Sequence, residues 1–140
     1  MKRPTLILVS GAAATGKTTF ANLFSAQLRI PLISKDAIKE SLFESMGWSD
    51  REWSRKLGFA SIVLMFELVE DQLAAGNSVI AEANFYPDMG SPRVEALRAS
   101  ADFTAIEVHC TADPDVVVSR YRNRQDTEKR HPGHRFDEAE

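Results

Sequence analysis

With 140 residues, a net charge of −3 and 44% hydrophobic residues, the chain has the size and balance of one globular domain that can bury its own core. Its single cysteine, Cys110, excludes an internal disulfide framework and fits a reducing compartment, where a buried apolar thiol at a strand end is the plain expectation. The mild acidity argues against broad nucleic-acid binding, and the apolar run from Ile62 to Phe66 is too short to span a bilayer. Met1 to Pro4 lead straight into a strand with no cleavage site, which sets the expectation of a cytoplasmic protein.

The first predicted strand, from Thr5, is β-rich and apolar (Leu6, Ile7, Leu8, Val9) and ends in G-A-A-A-T-G-K-T-T. Gly11, Gly16, Lys17 and Thr18 satisfy G-x-x-x-x-G-K-[ST] between a strand and a helix, the setting that a phosphate-binding loop requires. Glycines let the backbone turn tightly so that the N–H groups of Gly11, Ala12, Ala13, Ala14, Thr15, Gly16, Lys17, Thr18 and Thr19 can surround an anion, and the helix N-terminus adds positive potential. Lys17 supplies charge for the β- and γ-phosphates of a nucleotide, and the Thr18 hydroxyl suits a Mg²⁺ ion.

Helical spacing then predicts a helix over 17–28 that buries Phe20, Leu23, Phe24 and Leu28. Pro31 breaks it and opens a second strand, Leu32 to Ser34, followed by a helix from Ala37 to Met46 with Ile38, Leu42 and Phe43 inward. Ser49 and Glu52 form a capping box for a third helix, which runs to Ala75 with a bend expected near Gly58. Its stripe of Phe59, Ile62, Val63, Phe66, Val69 and Leu73 is widened by Leu64, Met65 and Leu68, which predicts packing on more than one side. Gly76-Asn77 stops it, and Ser78 to Ala81 is the third strand, ending at Glu82. Ser91-Pro92 reads as the start of a short helix to Ala99, Phe103 to His109 as a fourth strand, and Asp113-Pro114 as the start of a helix to Arg124. Alternating strands and helices predict an α/β/α three-layer domain over residues 1–140 with a mostly parallel sheet. Residues 37–76 form a helical insertion on the substrate side, and 120–135 a lid-like segment.

In parallel sheets ligands bind beyond the carboxyl ends of the strands, so polar residues there are candidates whatever the strand order. Asp36 follows the second strand, where it either accepts the proton of an attacking hydroxyl or caps the next helix. Glu82 ends the third strand and either holds Mg²⁺ through water or makes an ion pair at the rim. Lys39, Asn84 and Arg93 are candidates for substrate contacts, with a solvated surface charge as the alternative for the two cations. Arg120 and Arg124 share a helix face that either meets the nucleotide or complements the helix dipole. His131 and His134 have no partners at zinc spacing.

The phosphate loop, S-K-D-A-I-K after the second strand, A-E-A-N-F after the third and R-Y-R-N-R…R-H-P-G-H near the end together resemble the P-loop kinases akin to polynucleotide 5′-hydroxyl kinase. Zeta toxin, chloramphenicol phosphotransferase, and gluconate and shikimate kinases are relatives of that group. The resemblance implies ATP and Mg²⁺ as cofactors and a hydroxyl of a small molecule or of a nucleic-acid 5′ end as acceptor. It implies Lys17 and Thr18 on the phosphates and Mg²⁺, Asp36 as base, Arg120 against adenine, and Arg124 and Arg130 reaching the transferred phosphate. Lys39 falls where the relatives often carry a substrate-contacting arginine. The family's fifth strand and last helix follow the lid and are expected to be missing before Glu140, which leaves an open sheet edge beside the first or fourth strand that invites self-association. The competing readings are an ATP-binding module without transfer and a plain NTPase; a GTPase is disfavoured because the chain contains no N-K-x-D.

Overall fold

In the computed structural model, residues 3–12, 15–84, 87–111 and 115 are described, residues 87–91 as backbone. Four strands, β1 (Thr5–Ser10), β2 (Leu32–Ser34), β3 (Val79–Glu82) and β4 (Thr104–His109), form one parallel sheet in the order β2-β3-β1-β4. The helices are α1 (Lys17–Leu28), α2 (Lys35–Met46), α3 (Arg51–Ala74) and α4 (Pro87–Ser100). The helix expected after Asp113 and the lid-like segment lie outside the described residues, apart from Asp115.

The pleat of β1 divides the core in two. Leu6 and Leu8 face a cluster built with Val79, Ala81, Ile62, Met65, Phe66, Val69, Leu73 and Leu97, so α3 and α4 cover that side of the sheet. Ile7 and Val9 turn the other way, toward Ala21, Phe24 and Ile80, where α1 lies. Burial on both faces explains why β1 and β3 read as continuous apolar runs. α2 packs chiefly on α3. Among the described residues the first strand is interior, between β3 and β4, and the sheet's edges are β2 and β4; of the two positions expected for an open edge, the one beside the fourth strand agrees with this order and the one beside the first does not.

Several local expectations are corrected as well. Leu23 is 65% exposed, and Phe20 and Leu28 are also exposed. The loop sets the phase of α1 by turning Lys17 inward, and only residues at i+4 and i+7, Ala21 and Phe24, follow it to the sheet. Phe59, Leu64 and Leu68 are exposed, so α3 buries one broad face rather than its whole circumference. α3 is continuous through Gly58 and is capped by Asp50, whose carboxylate accepts from the Trp53 N–H at 2.8 Å, rather than by Ser49. Pro92 lies inside α4, and Pro87 occupies the first helical position assigned to it. α2 begins at Lys35, with Ser34 as its cap: the Ser34 hydroxyl accepts from the Ala37 N–H at 3.4 Å.

Candidate functional site

Because all four strands are parallel, their carboxyl ends share one edge of the sheet. The register sets Ser34 beside Glu82, Glu82 beside Val9, and Ser10 beside His109. The phosphate loop leaves β1 at this edge. Gly11 has φ +142, and a Cβ there would lie 2.5 Å from the Cys110 carbonyl oxygen and 2.9 Å from Thr15 Oγ1. Only glycine fits a positive φ with backbone that close. Gly16, at φ 87, ends the loop, and no side chain caps the N-terminus of α1, so its first N–H groups stay directed at the loop's interior. The Thr15 hydroxyl donates to the Ala12 carbonyl at 2.8 Å, tightening the turn. Thr19 follows in the first turn of α1, and Ala13 and Ala14 lie outside the described residues.

Lys17 is buried and reaches back to the Ala12 carbonyl at 3.5 Å. Beside it the Thr18 hydroxyl donates to Glu82 Oε1 at 2.5 Å. Glu82 is fully buried, and burial holds its carboxyl above the ordinary value; the Thr18 hydroxyl, the Lys17 charge and a Ser34 hydrogen bond pull it back, while the Asp36 charge pushes it further up. Lys17, Thr18, Ser34 and Asp36 thus all act on Glu82, although the five residues come from three separate stretches of sequence. Burial likewise raises the Cys110 thiol, lowered in part by Lys17 and raised by Glu82. Ser10 Oγ and His109 Nδ1 stand 3.2 Å apart at the end of β1 and β4.

Asp36 is the second residue of α2 and not its cap; its carboxylate is half exposed, 3.8 Å from the Lys35 ammonium. The cap alternative therefore passes to Ser34. Lys39, one turn on, is buried at 3% exposure with its ammonium 5.5 Å from the centre of the Phe43 ring, so it is not a solvated surface charge. Asn84, two residues past Glu82, has a buried Oδ1 with no hydrogen-bond partner among the described residues. Arg93 stands apart from this group, its guanidinium 5.7 Å and 5.8 Å from the Phe59 and Phe66 rings on the flank of α3. Arg120, Arg124 and Arg130 lie outside the described residues.

Two participants escaped the sequence reading. Ser34 reads in the sequence as the end of a strand, and only the pairing of β2 with β3 sets it beside Glu82. Gly58 reads in the sequence as a bend, whereas a Cβ there would lie 3.6 Å from Lys39 Nζ and 3.8 Å from Lys35 Nζ. An isolated glycine in a strong helical pattern was the available signal.

A four-stranded parallel sheet with a phosphate loop leading into α1, and a serine/threonine–carboxylate pair where β1 and β3 end, defines a P-loop kinase-like protein. The AAA domain family model matches residues 6–139, and the chain belongs to that family. A candidate kinase of Chloroflexus aurantiacus J-10-fl is 44% identical over 95% of this chain and 72% of that one, with a TM-score of 0.93. The Pnkp1/Rnl/Hen1 RNA repair complex contains a chain matched at 17% identity and TM-score 0.64, covering 98% of this chain and 43% of that one. A gluconokinase of Sinorhizobium meliloti 1021 matches at 17% identity and TM-score 0.54, covering 97% and 73%. The last two likenesses concern the fold. No match is found among curated proteins. Among the described residues no helix is long and apolar enough to cross a membrane.

Proposed function

We propose that the protein is an ATP-dependent kinase that transfers the γ-phosphate to a hydroxyl group, with Asp36 as general base. The observation that carries this reading is the meeting of the loop's Thr18 with buried Glu82, a carboxylate on which the Asp36 charge acts. Lys17 and the α1 N-terminus bind and orient the phosphates. The hydroxyl and carboxylate oxygens of Thr18 and Glu82 are the hard donors that suit Mg²⁺, which when bound neutralises charge on the β- and γ-phosphates. Asp36, partly open to solvent where α2 begins, is reachable by an incoming hydroxyl. It takes the proton as the acceptor oxygen bonds to the γ-phosphorus and the bond from that phosphorus to the bridging oxygen breaks, releasing ADP. By the family resemblance, Arg120 is proposed to lie against adenine, and Arg124 and Arg130 to reach the transferred phosphate and stabilise its charge.

The test is paired. With Ser34 as the cap, Asp36→Asn leaves the melting temperature and nucleotide binding near wild type, and it lowers phosphate transfer by about 10²–10⁴-fold. Transfer at the wild-type rate in that variant removes Asp36 from the chemistry. Nucleotide binding with no transfer to any hydroxyl acceptor, in wild type as well, favours a binding module instead.

A further inference from the structure

Strands of a parallel sheet are normally covered on both faces, and β3, buried at every residue, conforms. β4 does not. Thr104, Ile106, Glu107 and His109 are exposed, Ile106 at 48%. Among the described residues β4 is also an edge, pairing with β1 and with no other strand. The opposite edge, β2, is only three residues long, whereas β4 has six. Edges of that length are ordinarily blunted by proline, lysine or a bulge, and T-A-I-E-V-H offers only the charge of Glu107.

The ladder fixes which backbone groups of β4 look outward. The Thr104 and Cys110 N–H groups donate to the Pro4 and Ser10 carbonyls at 2.9 Å and 2.8 Å, so even-numbered residues turn their backbone toward β1. Ala105, Glu107 and His109 therefore direct N–H and C=O to the open side. Side chains alternate on the same count. Ile106 and Val108 share the α1 side of the sheet with Ile7 and Val9, and Glu107 and His109 lie on the other face. The His109 Nδ1 stands 3.2 Å from the buried Ser10 hydroxyl, which leaves Nε2 for another partner.

We propose that β4 is a self-association edge, on which a second copy of this chain lays its own β4 antiparallel about a two-fold axis through Val108. Only registers that oppose odd-numbered residues join the outward backbone groups of both copies. One of these opposes Glu107 to itself, setting like charges face to face, and one centred on Ile106 opposes Glu107 to Ala105 and leaves the carboxylate unanswered. The register centred on Val108 opposes Glu107 to His109, and the symmetry makes that pair twice. Each Nε2 then donates to a carboxylate of the second copy while Nδ1 accepts from Ser10. The same register sets Ile106 opposite Cys110 on the other face and shields apolar surface that β4 exposes. A second copy is the fitting occupant because the acid and the imidazole that answer each other both lie on this strand, two residues apart.

The experiment is sedimentation equilibrium on the full chain over about a hundredfold range of concentration, joined to cross-linking. A reversible and weak dimer is expected, since one edge strand buries less than the standard interface of about 1,600 Å². Val108→Cys in a Cys110→Ser background is expected to form an intermolecular disulfide under mild diamide oxidation. Residues facing each other on the axis stand about 4.5 Å apart at Cα, within disulfide reach. Glu107→Lys and His109→Glu are each expected to weaken association about tenfold, and the double variant to recover it, in samples whose far-UV dichroism matches wild type. Recovery of that kind does not follow from lost packing or a damaged fold. Monomers at every concentration overturn the proposal, as does a dimer that is indifferent to Glu107→Lys and uncross-linked in Val108→Cys. A monomer whose Ala105, Glu107 and His109 amides resist hydrogen exchange also overturns it, and assigns the edge to another stretch of the same chain.

Discussion

The two sides of the strand-end crevice are built differently. On the nucleotide side, the loop and the first turn of α1 come from one contiguous stretch, pinned by close backbone contact between Gly11 and Cys110 and by the Thr18–Glu82 bond. On the side where α2 packs on α3, Lys35, Lys39 and Gly58 come from two separate helices and meet only through helix packing. The first side recognises a group common to all nucleoside triphosphates, so its geometry is one that a short motif can encode. The second, on the reading proposed above, faces the acceptor, and packing positions its residues one at a time.

The comparison breaks most visibly at Lys17. Lys17→Ala is expected to lower turnover by about 10²–10³-fold, the scale of losing one preorganised charge at a reacting phosphate, and to weaken ATP in calorimetry. Unchanged ATP affinity would dismiss the loop assignment.

Glu82 is the seam, and its replacement sharpens the contrast at a smaller scale. Glu82→Gln is expected to raise the Mg²⁺ concentration needed for half-maximal turnover by about 10–100-fold, as for other groups that support a metal through its shell. The stability effect runs in the opposite direction. Because burial raises the folded-state value above the ordinary 4.5, the native state holds this proton more tightly than the unfolded chain does. Wild-type stability contributed by Glu82 is therefore complete below 4.5 and falls as pH rises through the folded-state value. Glu82→Gln escapes that fall and is expected to melt higher than wild type at pH 7, with the advantage gone at pH 4. Parallel melting curves across that range would show that Glu82 is not held up by burial.

The smallest effect belongs to Ser34, whose hydroxyl caps α2 and also bonds toward Glu82. Ser34→Ala is expected to cost about 1 kcal/mol, read as a lowered urea midpoint at constant slope. An unchanged midpoint would mean that the 3.4 Å cap contributes nothing in solution.

Legibility in the sequence followed the same division. The strands and the helices α1 and α3 were readable because each carries local signals: the apolar run into Gly11, Pro31 after α1, and Gly76 at the end of α3, whose φ of +85 the stop signal anticipated. The candidate residues Lys17, Thr18, Asp36 and Glu82 were readable because strand ends in a parallel sheet share one edge. Which face of α1 turns inward was not readable from periodicity, because the loop and not the apolar stripe sets the helix's rotation; hence the exposed Leu23. The roles of Ser34 and Gly58 depend on strand pairing and on how α2 crosses α3, and neither leaves a mark within a short window of sequence.

Gly11 has an evolutionary consequence. The obstacle to any other residue there is the chain itself, the Cys110 carbonyl and a φ of +142, and that obstacle persists whether or not a nucleotide ever arrives. A descendant that abandoned phosphate transfer could replace Lys17 at the cost of side-chain contacts such as that with the Ala12 carbonyl, but it would have to keep Gly11 to go on folding. Among diverged relatives of this chain, a retained Gly11 therefore testifies to ancestry, whereas a retained Lys17 testifies to use.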